Sequence, residues 1–149
     1  MAEKKEVTMT AQQLMEAYER ERIKLNEIQI RLAAVQELMQ ETSGAIDAVK
    51  EIQKSEKENR VLVPLGSGVF ANVEVKDKKK VLYSIAGNVM AYKAVSEAVE
   101  ELEKKMEQLR KMIEFSRGEQ QKTANNLNQL GRIIQTGRRI QAEQERKLR

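Results

Sequence analysis

The sequence contains no cysteine and no histidine. Without cysteine there are no disulfides and no thiolate chemistry. Without histidine the commonest acid–base group near neutral pH and the commonest metal ligand are gone. Aromatic side chains are scarce: Tyr18, Phe70, Tyr83, Tyr92 and Phe115 are the five among 149 residues, and there is no tryptophan. So few rings cannot fill a thick globular core. One proline, Pro64, leaves long stretches free to run as uninterrupted helix. No stretch approaches the roughly 18 apolar residues of a membrane span. The polar start, with Glu3, Lys4, Lys5 and Glu6, lacks the apolar centre of a signal peptide. These absences predict a soluble protein of a reducing, cytosolic interior, with no membrane partner.

Catalysis finds little to work with. Gly66-Ser67-Gly68 lacks the downstream Gly-Lys of a phosphate-binding loop and reads as a hairpin turn. Carboxylate pairs such as Glu100-Glu101 fall on helix surfaces, where they are solvated. The expectation is a protein that is not an enzyme and holds no cofactor and no metal.

Charge is what the chain has in quantity. Charged residues make up 34% of it, with 27 basic against 23 acidic. The excess sits at one end: residues 131–149 carry Arg132, Arg138, Arg139, Arg146, Lys147 and Arg149 against Glu143 and Glu145. The rest is balanced, which argues against a uniformly basic nucleic-acid binder. Phosphate contacts need only Lys and Arg, but the stacking that single strands use needs aromatics, and this tail has none.

Residues 11–58 predict a long helix. Thr10 is placed as its N-cap, with Gln13 at the capping-box position. A seam advances in alternating steps of four and three through Leu14, Tyr18, Glu21, Leu25, Ile28, Leu32, Val35, Met39, Thr42, Ile46 and Val49. Nine of these eleven are apolar, so the period is 3.5 and the helix should supercoil with a partner. Ile23, Ile30, Leu38, Ala45 and Ile52 widen the stripe. A second helix is predicted over 97–147 with Ser96 as N-cap. Its seam is Val99, Leu102, Met106, Leu109, Ile113, Ser116, Gln120, Thr123, Leu127, Leu130 and Ile134. The consecutive polar members Ser116, Gln120 and Thr123, beside Gly118, mark the stretch expected to be loosest.

Between the helices, residues 60–93 change period from 3.5 to 2. Val61-Leu62-Val63 is followed by Pro64 and the turn residues Leu65-Gly66-Ser67-Gly68. In 69–76, Val69, Ala71, Val73 and Val75 fall on one face and Phe70, Asn72, Glu74 and Lys76 on the other. Asp77 to Lys80 is a charged turn, Val81 to Ile85 a third strand, Ala86-Gly87-Asn88 a turn, and Val89 to Tyr92 a short fourth strand. The prediction is two β-hairpins. The fold class is therefore mostly α with a small β insert: a long antiparallel two-helix coiled coil joined by two hairpins. At about 1.5 Å per residue each helix would reach roughly 70 Å.

Such a chain should not act alone. A free two-stranded hairpin is marginal in water, and open strand edges recruit further strands. The economical solution is an oligomer in which Val61, Val63, Val69, Phe70, Val73, Val75, Val81, Leu82, Tyr83 and Ile85 pair with other subunits and close into a barrel. The alternative is a small self-contained sheet capping one coiled coil. At the other end Leu14, Met15, Tyr18, Ile23, Ile133, Ile134 and Ile140 lie near the free tips. One seam cannot bury all of them, and clustered exposed apolar groups mark a binding surface; fraying coiled-coil ends are the plainer alternative. Met and Leu suit promiscuous contact because they repack easily.

The stretch Leu62-Val63-Pro64-Leu65-Gly66-Ser67-Gly68-Val69-Phe70 resembles the Leu-Val-Pro-hydrophobic-Gly-small-Gly-x-Phe motif of the prefoldin α class. Val81-Leu82-Tyr83-Ser84-Ile85 is similar to that family's third strand. Together with the order helix, hairpins, helix, the likeness covers essentially the whole chain, and two hairpins point to the α class over the β class. The resemblance implies a hexamer of two α-type and four β-type subunits, organised as in archaea. Its hairpins would form a double β-barrel body, and its coiled-coil tips would hold non-native polypeptides and pass them to a chaperonin without nucleotide. The chain departs from the family where the third strand often runs into Gly-x-Gly: here it has Ala86-Gly87-Asn88. The second helix tip is also unusually basic, which could tune client choice and chaperonin docking. A coiled-coil scaffold or filament subunit assembled through the same hairpins stands as the alternative, and nucleic-acid binding through Arg132–Arg149 is a third reading.

Overall fold

A computed structural model describes residues 9–54 and 60–148. The element order is α1 (Ala11–Lys54), β1 (Arg60–Gly66), β2 (Val69–Glu74), β3 (Lys80–Ala86), β4 (Val89–Ala94) and α2 (Val95–Lys147). The chain divides into two compact units, one of residues 1–34 with 113–149 and one of residues 35–112. The predicted end of the first helix, 55–58, lies outside the described residues.

Helix α1 starts as a reciprocal capping box. The Gln13 amide N–H donates to Thr10 Oγ1 at 3.2 Å and the Thr10 amide N–H donates to Gln13 Oε1 at 3.0 Å. Two of the orphan donors of the first turn are thereby satisfied. Helix α2 begins differently from expectation. Strand β4 runs straight into it, so Ser96 lies inside the first turn and caps nothing. The Val95 amide instead donates to the Lys79 carbonyl at 2.9 Å, and Glu97 places a carboxylate in the first turn, where the positive pole of the helix favours it.

In the unit of residues 1–34 and 113–149 the two helices run antiparallel. Tyr18 lies against Gly131, the Asn126 amide donates to Glu21 at 3.4 Å, and Arg31 pairs with Glu119 at 3.4 Å. As the α1 number rises the α2 number falls. Ile28, Leu32 and Ile113 are buried here with Ser116 and Thr123. The polar part of the α2 seam is therefore not loose: Ser116 and Thr123 keep only 3% and 1% of their surface. Small side chains allow close helix approach, and a hydroxyl can bond back to its own helix carbonyls.

In the unit of residues 35–112, Val35, Thr42, Ile46 and Leu109 line the helices and Val95 and Ala98 are buried at the root of α2. Thr42 satisfies its hydroxyl on the Leu38 carbonyl at 2.7 Å. Lys50 pairs with Glu103 at 2.8 Å, again antiparallel. All eleven expected seam positions of each helix are buried or half-buried. Of the flanking residues expected to widen the stripe, Ile23, Ile30 and Ala45 are exposed. In the heptad frame Ile23 and Ile30 occupy the position farthest from the partner helix, out of its reach.

The strands form two separate antiparallel hairpins, β1-β2 and β3-β4. They repeat each other twenty positions apart. Val61 pairs Val73 and Val63 pairs Ala71, as Val81 pairs Lys93 and Tyr83 pairs Ala91. Each register slips once, at Leu65 and at Ile85, before the turn. The extra residue is a β-bulge, which bends the strand and steepens its twist. The first turn has φ of 50° at Ser67 and 80° at Gly68, the two positive values of a type I′ turn. In the second, Gly87 has φ of 54° and Asn88 stays negative, which is the type II′ pattern with its glycine first. Both turn types match the twist of the strands they join. Strand β2 ends at Glu74, so Val75 and Lys76, expected within it, belong to the connection to β3.

Candidate binding and assembly surfaces

Direct opposition in an antiparallel pair puts side chains on the same face. In the first hairpin one face therefore carries Val61, Val63, Val69, Ala71 and Val73, and the other Leu62, Pro64 and Phe70. Each face is rich in apolar side chains, the second also carrying Asn72 opposite Leu62, and both are open: Val69 on the first retains 56% of its surface and Leu62 on the second 69%. The second hairpin matches it, with Val81, Tyr83, Val89, Ala91 and Lys93 on one face and Leu82, Ser84, Met90 and Tyr92 on the other. At each bulge an apolar side chain, Leu65 or Ile85, is also exposed.

Of the ten predicted assembly residues, Val61, Val75, Val81 and Tyr83 are half-buried, and Val63, Val69, Phe70, Val73, Leu82 and Ile85 are exposed. Sequence reasoning passed over Leu62, Leu65, Val89, Met90 and Tyr92, which are exposed as well. The signal that finds all of them but Tyr92, whose counterpart is Asn72, is the twenty-residue repeat. Once Phe70 is named, its counterpart Met90 follows, and Val69 points to Val89 in the same way.

Within this unit the second hairpin is tied to α2. The Lys93 ammonium hydrogen-bonds the Glu101 carboxylate and lies 4.8 Å from the centre of the Tyr83 ring. The hydrogen bond to Glu101 raises the Lys93 pKa above the ordinary lysine value, against an opposing effect of desolvation. One turn on, the hydrogen bond from Lys104 holds the Glu100 carboxyl below its ordinary value. Both pairs are surface pairs, so they orient more than they stabilise.

The other candidate surface lies in the unit that holds both helix tips. Leu14, Tyr18 and Ile134 are half-buried members of the seam. Met15, Ile23, Ile133 and Ile140 are exposed. The predicted set thus divides into three packing residues and four that face solvent. Met9, Ile30, Phe115 and Leu148, which the sequence reading did not single out for binding, are exposed in the same unit. From residue 135 to its end at Lys147 every residue of α2 is exposed. Among the described residues no cluster of metal-ligating side chains occurs, and no helix is long and apolar enough to cross a membrane.

Comparison with known proteins gives a consistent picture. The family model of the prefoldin subunit matches residues 22–138. The prefoldin subunit alpha of Thermofilum pendens is 30% identical over 116 residues, covering 78% of this chain and 82% of that protein. The subunit alpha of Methanococcus maripaludis is 26% identical over 99 residues, 66% of this chain and 67% of that protein. Among solved structures, filamentous PFD from Methanocaldococcus jannaschii superposes with a TM-score of 0.66 at 17% identity, covering 77% of this chain and 95% of that one. At that identity the likeness speaks for the fold.

Proposed function

This chain belongs to the prefoldin family of chaperone subunits, in its α class, and from that premise we propose that it is a nucleotide-independent holdase subunit of the cytosol. Its hairpins would join those of β-type partners, two α with four β, in a closed barrel body. Its helix tips would hold non-native polypeptides for delivery to a chaperonin. The assembly reading is supported by two-stranded hairpins that expose large apolar side chains such as Leu62, Phe70, Leu82 and Tyr92, since a lone hairpin with such groups in water is marginal.

One observation carries the holding reading. Met15, Ile23, Ile133 and Ile140 are exposed although the seam beside them is already filled. Packing between the two helices leaves these four unexplained, and a loosely specific apolar contact employs them. Leu14, Tyr18 and Ile134, at the rim of the seam, would join them if the tips part.

The test is light scattering of a chemically unfolded model protein diluted into buffer with this chain and a β-type partner, without nucleotide. Suppression of aggregation at a near-stoichiometric ratio is the expected outcome. Deleting residues 1–22 and 132–149 together should preserve the assembled particle and abolish suppression. Full suppression by the truncated particle would refute the assignment to the tips. A second reading, a scaffold or filament subunit, draws on the two separate two-stranded hairpins, each of which leaves strand edges without a neighbour among the described residues. Particle size and shape separate the two.

A further inference from the structure

The last stretch of α2 carries more organisation than a solvated helix end requires. Arg132, Arg139 and Arg146 are spaced by sevens, and beside them Ile133, Ile140 and Lys147 are spaced by sevens as well. In the heptad frame these are adjacent positions, so they form two parallel ribbons, one of arginine and one mainly of isoleucine. All six side chains are exposed, and the ribbons' four arginine and lysine groups have no ion-pair partner among the described residues.

Two bland explanations fall short. The negative pole of a helix attracts cations only within its last turn. That accounts for Arg146 and Lys147 but not for Arg132 or Arg139. Packing against α1 does not cover them either, since Arg132 and Ile133 are exposed even where α1 lies opposite. Tyr18 meets Gly131, and the antiparallel course then brings the start of α1, Ala11, opposite about residue 138. Beyond that point α2 has no described partner.

We propose that this ribbon makes the tip selective for acidic, apolar-containing segments of unfolded chains. The occupant is fixed by complementarity. Isoleucine at one position takes up apolar side chains, and arginine at the next pairs with carboxylates through its planar, bidentate donors. Glu143 and Glu145 are the acids of this stretch, and the surplus of arginine leaves it attractive to negative charge. The inference rests on the holding reading above and adds the class of client.

The test uses the full chain assembled with its β-type partner and two fluorescent peptides of equal length and leucine content, one rich in glutamate and one in lysine. Anisotropy titrations at low salt should show the acidic peptide bound about tenfold tighter, with the gap closing as salt is raised past about 0.1 M, where the screening length is about 10 Å. Replacing Arg132, Arg139 and Arg146 by Gln should erase the preference and retain apolar binding. Replacing them by Lys should restore most of it. Equal binding of the two peptides by the unaltered particle overturns the selectivity and leaves holding in place. Failure to bind either peptide overturns both. A preference that survives the glutamine variant overturns the arginine assignment. Duplex DNA or anionic vesicles binding more tightly than the acidic peptide would make the ribbon a general polyanion site and overturn the client reading.

Discussion

Ile28 and Ile30 are the same residue on the same helix, two positions apart, and the structure gives them opposite fates. Ile28 keeps 2% of its surface and Ile30 keeps 63%. Replacing each by alanine changes local helix propensity by the same amount, so the difference between the two variants isolates packing. Burying an isoleucine side chain contributes about 1.5–3 kcal/mol, and buried Ile→Ala changes cost about 2–5 kcal/mol once the residual cavity is included. A two-helix layer collapses around a lost side chain more readily than a thick core does. Ile28→Ala should therefore cost about 2–3 kcal/mol, toward the low end of that range. Ile30→Ala loses little contact and gains helix propensity, so its effect should stay within about 0.5 kcal/mol. For a chain of this size 1 kcal/mol moves the melting temperature by about 2–4 °C. Melting followed by far-UV circular dichroism, at fixed concentration of the assembled particle, should then show Ile28→Ala lower by about 4–12 °C and Ile30→Ala unchanged. Equal losses in the two variants would refute the reasoning. They would mean that the outer face of α1 is covered in the particle and that the seam is not the main source of its stability.

Four further expectations are open to direct measurement. A Cβ added at Gly44, Gly118 or Gly137 meets nothing within 4 Å, so alanine at each should raise the urea midpoint by an amount equivalent to about 0.5–1 kcal/mol; alanine at Gly68, held at φ of 80°, should lower it. Phe70→Asp should leave the helicity of the chain intact, because the ring is exposed, yet prevent assembly with a β-type partner in analytical ultracentrifugation; normal assembly would remove the first hairpin from the interface. For the pair of Lys93 and Glu101 the sign follows from the raised lysine pKa. Its contribution is complete below the ordinary value of 10.5 and is lost as pH rises through the folded value. The stability gap between the native chain and Lys93→Met should thus hold through neutral pH and shrink in alkali. A gap that persists in strong alkali would assign the effect to the lysine stem. The Glu100–Lys104 pair fails at both extremes: Glu100 is held below the ordinary value of 4.5, so the contribution is lost as pH falls through its folded value, and Lys104 is raised above 10.5, so it is lost again as pH rises through that lysine's folded value.

The helices and their seams were legible in the sequence because a heptad is a local statement. It depends on which residues recur along one helix, and any partner that covers one face selects the same positions. Leu14 through Val49 and Val99 through Ile134 accordingly lie on the covered side. The capping box at Thr10 and Gln13 was legible for the same reason, since it needs only a three-residue spacing. The two hairpins followed from a change of period and from Gly66, Gly68 and Gly87, whose positive φ the turns require.

Tertiary structure alone decided what is left uncovered. Leu82 and Tyr92 are as apolar as the half-buried Val81 and Tyr83, and only the placing of the hairpin against its surroundings leaves them in solvent. Ser116 and Thr123 read as weak points until close helix approach buried them more completely than many apolar neighbours. The bulges at Leu65 and Ile85 depend on how two strands register across a gap, which neither strand specifies by itself. The same holds for Ser96, displaced from its capping role because β4 feeds α2 directly and Lys79 accepts the Val95 amide hydrogen bond. Period and turn chemistry are properties of one segment and can be read from it. Exposure and register are relations between segments, and so they exist only once the chain has folded.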